Sequence, residues 1–301
     1  MKLLPRLLAV LLGLTAPASA AMNTGAAFLK LDPSARSAAM GSAYTAMSGG
    51  ADSMFFNPAG LAGLGKRELM AGHAEWLAGT KFDALAYGQP LSWGSLGVSA
   101  LRLSVGELDA RTADRKAAGS FEAADSMYSL SGAKRFAPAT IGASLKYLKS
   151  EIGPYSAQTV AVDLGARRDV PGKPLSLGLS VRNLGKGMRF LAQEDPLPLT
   201  FSAGATYRLA GVLGLALDLR HEPNDGKTSV SLGTEYSFLG TLALRAGYGA
   251  NTLSRGTSGQ GALGGLGAGL GFRMKSFGAD YAFTPFGELG DVQRLSLSAR
   301  F

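Results

Sequence analysis

Over most of the chain, apolar and polar residues alternate in short runs with a period of two. Leu175, Leu177, Leu179 and Val181 alternate with Ser176, Gly178, Ser180 and Arg182. From Leu213 to Arg220, four leucines alternate with Gly214, Ala216, Asp218 and Arg220. Val230, Leu232, Tyr236 and Phe238 oppose Ser229, Ser231, Gly233, Glu235 and Ser237, and Phe277, Ala279, Tyr281 and Phe283 oppose Ser276, Gly278, Asp280 and Ala282. The same pattern runs through Thr140–Lys149, Thr159–Arg167, Phe201–Arg208, Leu242–Tyr248 and Leu266–Met274. In a strand, period two gathers the apolar side chains on one face. The opposite face carries Gly, Ser and isolated charges.

Alternation alone fits a soluble sandwich as well as a barrel. Two further features select the barrel. The segments are about ten residues long, the reach needed to cross a bilayer at a tilt. Tyr147, Tyr207, Tyr236, Phe238, Tyr248 and Phe283 sit toward strand ends on the apolar face, where an interfacial girdle belongs. About fourteen segments lie between Glu68 and Phe301, an even number as bacterial barrels have.

The connections alternate in length. Short ones fall at Leu91–Trp93, Arg135–Pro138, Ala210–Val212, Leu239–Thr241 and near Lys275. Longer ones fall at Ser104–Ala124, Ser150–Ser156, Gly185–Leu197, Glu222–Lys227, Ala250–Ala262 and Thr284–Asp291. This rhythm matches periplasmic turns and extracellular loops, and its parity places both termini in the periplasm. The expected fold is therefore all-β: a transmembrane antiparallel β-barrel of about 14 strands over residues 66–301, in a cell outer membrane. In the last strand Leu295, Leu297, Ala299 and Phe301 share one register. That ending resembles the signal read by the barrel-assembly machinery, with Leu295, Leu297 and Phe301 carrying it.

Residues 1–20 stand apart. Lys2 and Arg6 form a basic start, Leu7–Leu14 a short apolar core, and Ala18-Ser19-Ala20 a small-residue cleavage site. That predicts a secretory signal peptide, too short in its apolar part to span a membrane. Cleavage after Ala20 would leave 281 of 301 residues and remove Lys2 and Arg6, taking the net charge from +8 to +6. The remaining positive residues are scattered singly, so a solvated or pore-lining surface is expected and a nucleic-acid partner is not.

Beyond the signal no stretch reaches eighteen consecutive apolar residues, which excludes helical spans. With no Cys in the chain, no lipid-anchored N-terminus, disulfide framework or thiolate metal site is expected. The two histidines, His73 and His221, fall on strands far apart in the expected order. No catalytic, cofactor or metal site emerges, and the chain does not read as an enzyme. Gly265, Gly267, Gly269 and Gly271 recur every second residue without the lysine or following helix of a phosphate loop. They fit a strand whose lumen face must stay small. Glu222-Pro223-Asn224-Asp225-Gly226 lacks the spacing of a calcium loop and reads as an extracellular turn.

Residues 21–65 form a third region. Asp32 is the expected cap and Pro33 the first residue of a helix that continues to Met47 and stops at Gly49-Gly50. Ala39, Met40, Ala43, Tyr44 and Met47 fall on one face, with the lumen wall as the available partner. Asn57-Pro58 then breaks the chain: Pro cannot continue a helix, Asn bonds locally, and Gly60 permits an unusual backbone. Such a turn holds a short segment folded inside a lumen, or else lies on the surface before the first strand.

Ser34-Ala35-Arg36-Ser37-Ala38-Ala39-Met40-Gly41 and Asp52-Ser53-Met54-Phe55-Phe56-Asn57-Pro58-Ala59-Gly60-Leu61-Ala62 resemble the N-terminal region of the PorV/PorQ family. The resemblance continues through His73–Leu77 and Lys81–Tyr87, and beyond about Leu103 rests on strand pattern alone. FadL-type hydrophobic-solute transporters carry a similar Asn-Pro-Ala-Gly segment in a hatch that plugs a barrel. The resemblance implies that Asn57, Pro58, Ala59 and Gly60 form a plug motif. It also implies one of two functions. PorV/PorQ members serve protein secretion or surface attachment in type IX secretion systems, with secretion subunits or exported proteins as partners. FadL-type members pass hydrophobic small molecules through the barrel. A transporter predicts an apolar pocket lined by Met40, Met47, Phe55 and Phe56. A secretion partner predicts exposed loops, and the small or polar inward residues lean toward it.

Overall fold

The computed structural model describes residues 24–111, 114, 117–251, 265–286 and 290–301. The expected signal peptide lies outside them. Fourteen antiparallel strands close into a barrel: β1 (Glu68–Glu75), β2 (Lys81–Leu91), β3 (Gly94–Arg111), β4 (Ala117–Phe136), β5 (Ala139–Ile152), β6 (Tyr155–Asp169), β7 (Leu175–Gly185), β10 (Thr200–Leu209), β11 (Leu213–Glu222), β12 (Lys227–Phe238), β13 (Leu242–Asn251), β14 (Leu266–Met274), β15 (Phe277–Pro285) and β16 (Asp291–Arg300). Each pairs with its sequence neighbours, and β1 closes on β16 with Glu68 opposite Arg300. A small hairpin, β8 (Met188–Phe190) with β9 (Gln193–Asp195), rises between β7 and β10.

The alternation reads directly onto the two faces. In β5, Thr140, Gly142, Ser144, Lys146 and Leu148 are buried inward, while Ile141, Leu145 and Tyr147 are exposed outward. Leu130, Leu179, Leu270 and Leu297 are likewise more than half exposed on the outside. The six girdle aromatics are exposed as well. The inner face is thus largely small and polar, apart from a cluster that includes Phe82, Leu101, Met127 and Leu148, and the outer face is apolar, as in a barrel wall that faces lipid.

Short turns gather at one end, where Ala210-Gly211 and Leu239-Gly240 take left-handed backbone that glycine accepts without a Cβ clash. Several expected boundaries move. The stretch Ser104–Ala124, read as a loop, extends β3 and β4, with Ser104 opposite Ala124 and Leu108 opposite Phe121 across a bulge. Pairing there persists after the alternation stops. Ser150–Ser156 narrows to a tight turn, since β5 reaches Ile152 and β6 begins at Tyr155. Gly185–Leu197 contains the β8–β9 hairpin, and much of Ala250–Ala262 lies outside the described residues.

The helix is also shorter than expected. α1 covers only Ala35–Ala39, capped by Ser34, whose side chain accepts from the Ser37 amide. Asp32 accepts from the Ser42 hydroxyl instead, at 2.8 Å. Left-handed backbone at Gly41 and Ser42 turns the chain before Met47.

The parity argument holds for the barrel and fails for the chain ahead of it. Phe301 bonds Arg67 at the short-turn end, but the Gly25 amide bonds the Pro196 carbonyl at the long-loop end. The reason is that residues 24–67 themselves cross from one end to the other.

Candidate functional site

Residues 24–64 pack against the inner wall through contacts spaced along its height. At the loop end Lys30 Nζ lies 2.6 Å from Asp225 Oδ2, and Thr24 donates to the same carboxylate. The α1 backbone starts on β16, where the Ala35 amide donates to Ser296 Oγ at 2.8 Å. Arg36 donates twice to Glu235, at 2.8 Å each, and Arg245 donates to Glu235 and Asp280. Asp218 on β11, 2% exposed, accepts the amides of Tyr44 and Thr45 at 2.8 Å each. The Ala46 carbonyl accepts from Arg167, and the Gly49 carbonyl from Arg300.

Backbone lies directly on backbone where the wall is smallest. A Cβ added at Gly233 would stand 2.6 Å from the Met40 carbonyl oxygen, and one at Gly247 would overlap the Met40–Gly41 peptide. Gly267 and Gly269 meet Ala38 and Ala39, and Gly271 makes room for Asp280 and Arg245, which accounts for the period-two glycines of β14. Within the segment, Asp52 accepts from Ser34 Oγ at 2.9 Å and from the Tyr44 hydroxyl at 2.8 Å. Burial holds the Tyr44 phenol well above its ordinary value, so it stays protonated as a donor.

Asn57 is fully buried rather than on a surface turn. Its side chain caps the turn Pro58–Gly63 by accepting from the Ala59 amide, and donates to the carbonyls of Thr45 and Ala166. The motif thereby ties the middle of the segment to its end and to β6. Gly60 is required there, because its Cβ would fall 2.8 Å from the Met47 carbonyl oxygen.

Of the four expected lining residues, Met40, buried against β12 and β13, and Met47 both border a polar basin at the short-turn end, and Met47 also packs against the apolar cluster that holds Phe55 and Phe56. Phe55 and Phe56 join Phe28, Leu29, Met54, Phe82, Leu101, Met127 and Leu148 in one apolar cluster. Phe56 packs at a tilt against Tyr44, with ring centroids 4.9 Å apart, and lies beneath the Arg182 guanidinium at 5.7 Å. A cavity of about 20 Å³ lies beside Phe55 and Phe56, bordered by Leu101, Met127, Lys146 and Arg182. Phe28, Asp218, Glu235 and Arg245 were not foreseen as site residues. The isolated acids on the polar faces of β11 and β12 were the available signal.

His73 and His221 do not meet. His73 Nδ1 lies 2.6 Å from Asp83 on β2, and His221 pairs with Thr228 on β12. Leu295 and Leu297 are exposed on β16, and Phe301 is exposed directly after it.

The short-turn end is basic. Among the described residues, Lys66, Arg67, Lys134, Arg135, Arg168, Lys173, Arg208 and Lys275 are exposed there, against the exposed Asp169. The loop end is mixed, with Glu75, Asp83, Asp114, Glu122, Glu194 and Asp291 beside Lys81, Lys186 and Arg189. Inside the basic rim the basin encloses about 670 Å³, bordered by Arg36, Arg167, Arg208 and Arg300. On the outer wall an apolar groove of about 540 Å³ runs over β10–β14.

This architecture has solved counterparts. The CymD monoaromatic hydrocarbon channel superposes with a TM-score of 0.65 at 14% identity, over 88% of this chain and 96% of that one. The two chains share one barrel fold. The Ralstonia pickettii toluene transporter TbuX aligns at 0.61 and 13% identity, covering 90% and 98%. A Pseudomonas aeruginosa FadL homologue aligns at 0.59 and 12%, covering 89% and 98%. In sequence, residues 19–165 match a family described as an uncharacterised protein family, UPF0164. No curated protein matches the chain. These likenesses show the barrel fold that the FadL-type resemblance implies, whereas the PorV/PorQ part and type IX secretion receive no support from them.

Proposed function

We propose that this FadL-like barrel is an outer-membrane channel for hydrophobic small solutes, with residues 24–64 as a movable plug. The carrying observation is the run of contacts from residues 24–64 to inward wall residues, from Asp225 at the loop end through Ser296 and Asp218 to Arg300 at the short-turn end, which supports a segment lying across the lumen. On this reading transport requires the segment to shift. The apolar outer wall supports a membrane setting, and the fold likeness to hydrocarbon channels supports transport over secretion. Solute would meet Phe28, Phe55 and Phe56 as the plug yields, while Met40 and Met47 serve the plug's hold on the wall. The Asn57–Gly60 turn keeps the plug folded on itself.

A designed disulfide tests this. A Cβ at Gly25 would lie 3.8 Å from Met188 Cβ, suited to a disulfide, and the chain has no competing cysteine. Gly25→Cys with Met188→Cys locks the start of the segment to the β8–β9 hairpin. Labelled toluene uptake by cells carrying the oxidised double variant should fall to the empty-host level and recover with reductant. Unchanged uptake with the bond fully formed would sink the moving plug, and no uptake by the unmodified protein would sink transport of that solute.

A further inference from the structure

We infer that the lumen basin at the short-turn end docks an acidic polypeptide segment of another protein, its carboxylates on Lys173 and Arg208 at one side and on Arg273 at the other. This site goes beyond solute passage and does not depend on movement of the lumen segment.

The first observation is an excess of charge. Six cations border the basin: Arg36, Arg167, Lys173, Arg208, Arg273 and Arg300. Three are engaged, Arg36 by Glu235, Arg167 by Asp169 and Arg300 by Glu68. Lys173, Arg208 and Arg273 have no side-chain hydrogen bond or ion pair among the described residues. Arg245 and Asp280 pair with each other behind them and add no net charge. Unanswered charges of one sign in a concave wall focus their field on whatever enters it.

The second observation is direction. Arg208 shares the inward register of Ser202, Gly204 and Thr206. Arg273 shares that of Gly269 and Gly271, which look onto Ala39 and the Arg245–Asp280 pair. Both charges therefore point into the lumen, where Met47, Ser48 and Gly49 of the lumen segment form part of the basin. Lipid headgroups stand on the other face of the wall. Spacing then sets the size of the partner. β10 and β14 lie four strands apart in the barrel order. At roughly 4.8 Å per strand that leaves about 19 Å of wall between Arg208 and Arg273. One phosphate touches a single side, whereas an extended chain rising about 3.3 Å per residue spans that distance with about six residues. The exposed Lys66, Arg67 and Arg135 continue the same sign around the mouth and steer an acidic chain toward it.

The test uses the full-length protein in nanodiscs of phosphatidylcholine. The probe is a fluorescein-labelled peptide of alternating Glu and Ser, about ten residues long so that it outspans the basin. Fluorescence anisotropy should show saturable binding, one peptide per barrel, that weakens with salt. The same peptide with Gln for Glu should not bind. Hydrogen exchange over residues 46–49 should slow in the complex. Lys173→Gln with Arg208→Gln and Arg273→Gln should weaken binding about tenfold or more. Lys173 lies in an exposed turn, so Lys173→Gln alone spares the fold and should weaken it about threefold. Lys134→Gln with Arg168→Gln, in the outward register of β4 and β6, should leave binding unchanged. The site is overturned by an absence of saturable binding, by unchanged exchange over residues 46–49, or by equal loss in the outward pair. Full displacement by millimolar inorganic phosphate would make it a small-anion site, and equal affinity for an oligonucleotide of the same charge would make it a patch that reads charge alone; either result overturns the inference.

Discussion

Replacing Asp218 by alanine should free the middle of the lumen segment while leaving the barrel folded. The carboxylate accepts the Tyr44 and Thr45 amides at 2.8 Å, at a site 2% exposed. A hydrogen bond to a charged group contributes roughly 1.5–3 kcal/mol, and both amides lose their acceptor where little water replaces it. The loss is partly offset, because the buried carboxylate carries its own desolvation cost and Asp218 Oδ1 has no hydrogen-bond partner. The lower end of the range then applies, about 3 kcal/mol for the pair. At about 1.4 kcal/mol per factor of ten, that is about a hundredfold in the local opening equilibrium. Hydrogen exchange read by mass spectrometry on the protein in nanodiscs measures it directly. Peptides covering residues 40–48 should exchange about a hundredfold faster, and peptides from β4 and β5 should not change. Asp218→Asn keeps one acceptor without the charge and should show a smaller acceleration. Unchanged exchange over residues 40–48 would refute the anchoring role, and equal acceleration in every strand would show that Asp218 supports the barrel instead.

Two further substitutions probe the same packing. Gly247→Val places a branched side chain where the Met40–Gly41 peptide lies. The barrel should still run as a heat-modifiable band, while protease cuts residues 38–48 that it spares in the parent; full resistance would contradict the close approach. Glu235→Ala leaves Arg36 and Arg245 without the carboxylate they share. Breaking a buried pair from one side costs roughly 3–5 kcal/mol, so the urea midpoint should drop clearly, and a drop within error would mean that water already serves both guanidinium groups.

The strands were legible because each obeys a rule that acts locally. Ile141, Leu145 and Tyr147 must face outward together, and period two is the only spacing that allows it. The rule expires above the apolar belt, which is why β3 and β4 continue through a stretch that reads as loop. The lumen segment follows no such rule. Its Ala-rich sequence favours helix through Met47, yet the chain leaves α1 after Ala39 because the wall decides its path. Asp218 holds the Tyr44 and Thr45 amides in a turn, and Gly233 and Gly247 admit Met40 and Gly41 only as backbone laid on backbone. These partners lie more than 170 residues apart in sequence. No window along the chain contains both halves of the contact.

The same separation bears on what the inward face implies about function. Small and polar inward residues suggest a lumen ill suited to greasy cargo if the wall itself is the surface that cargo meets. Here the wall is small because a backbone rests on it: Gly267 and Gly269 lie under Ala38 and Ala39, and Gly233 under Met40. Glu235 and Asp218 are polar because they hold that backbone in place. Once the contacts made to the segment are subtracted, the wall's chemistry no longer argues against an apolar passenger. The apolar side chains that a passenger would touch sit on the segment, in Phe28, Phe55 and Phe56, and on the few wall residues facing them, Phe82, Leu101 and Met127. A reading of selectivity from this sequence therefore has to begin with residues 24–64, and a swap of that segment between related barrels should carry solute preference with it more than a swap of strands would.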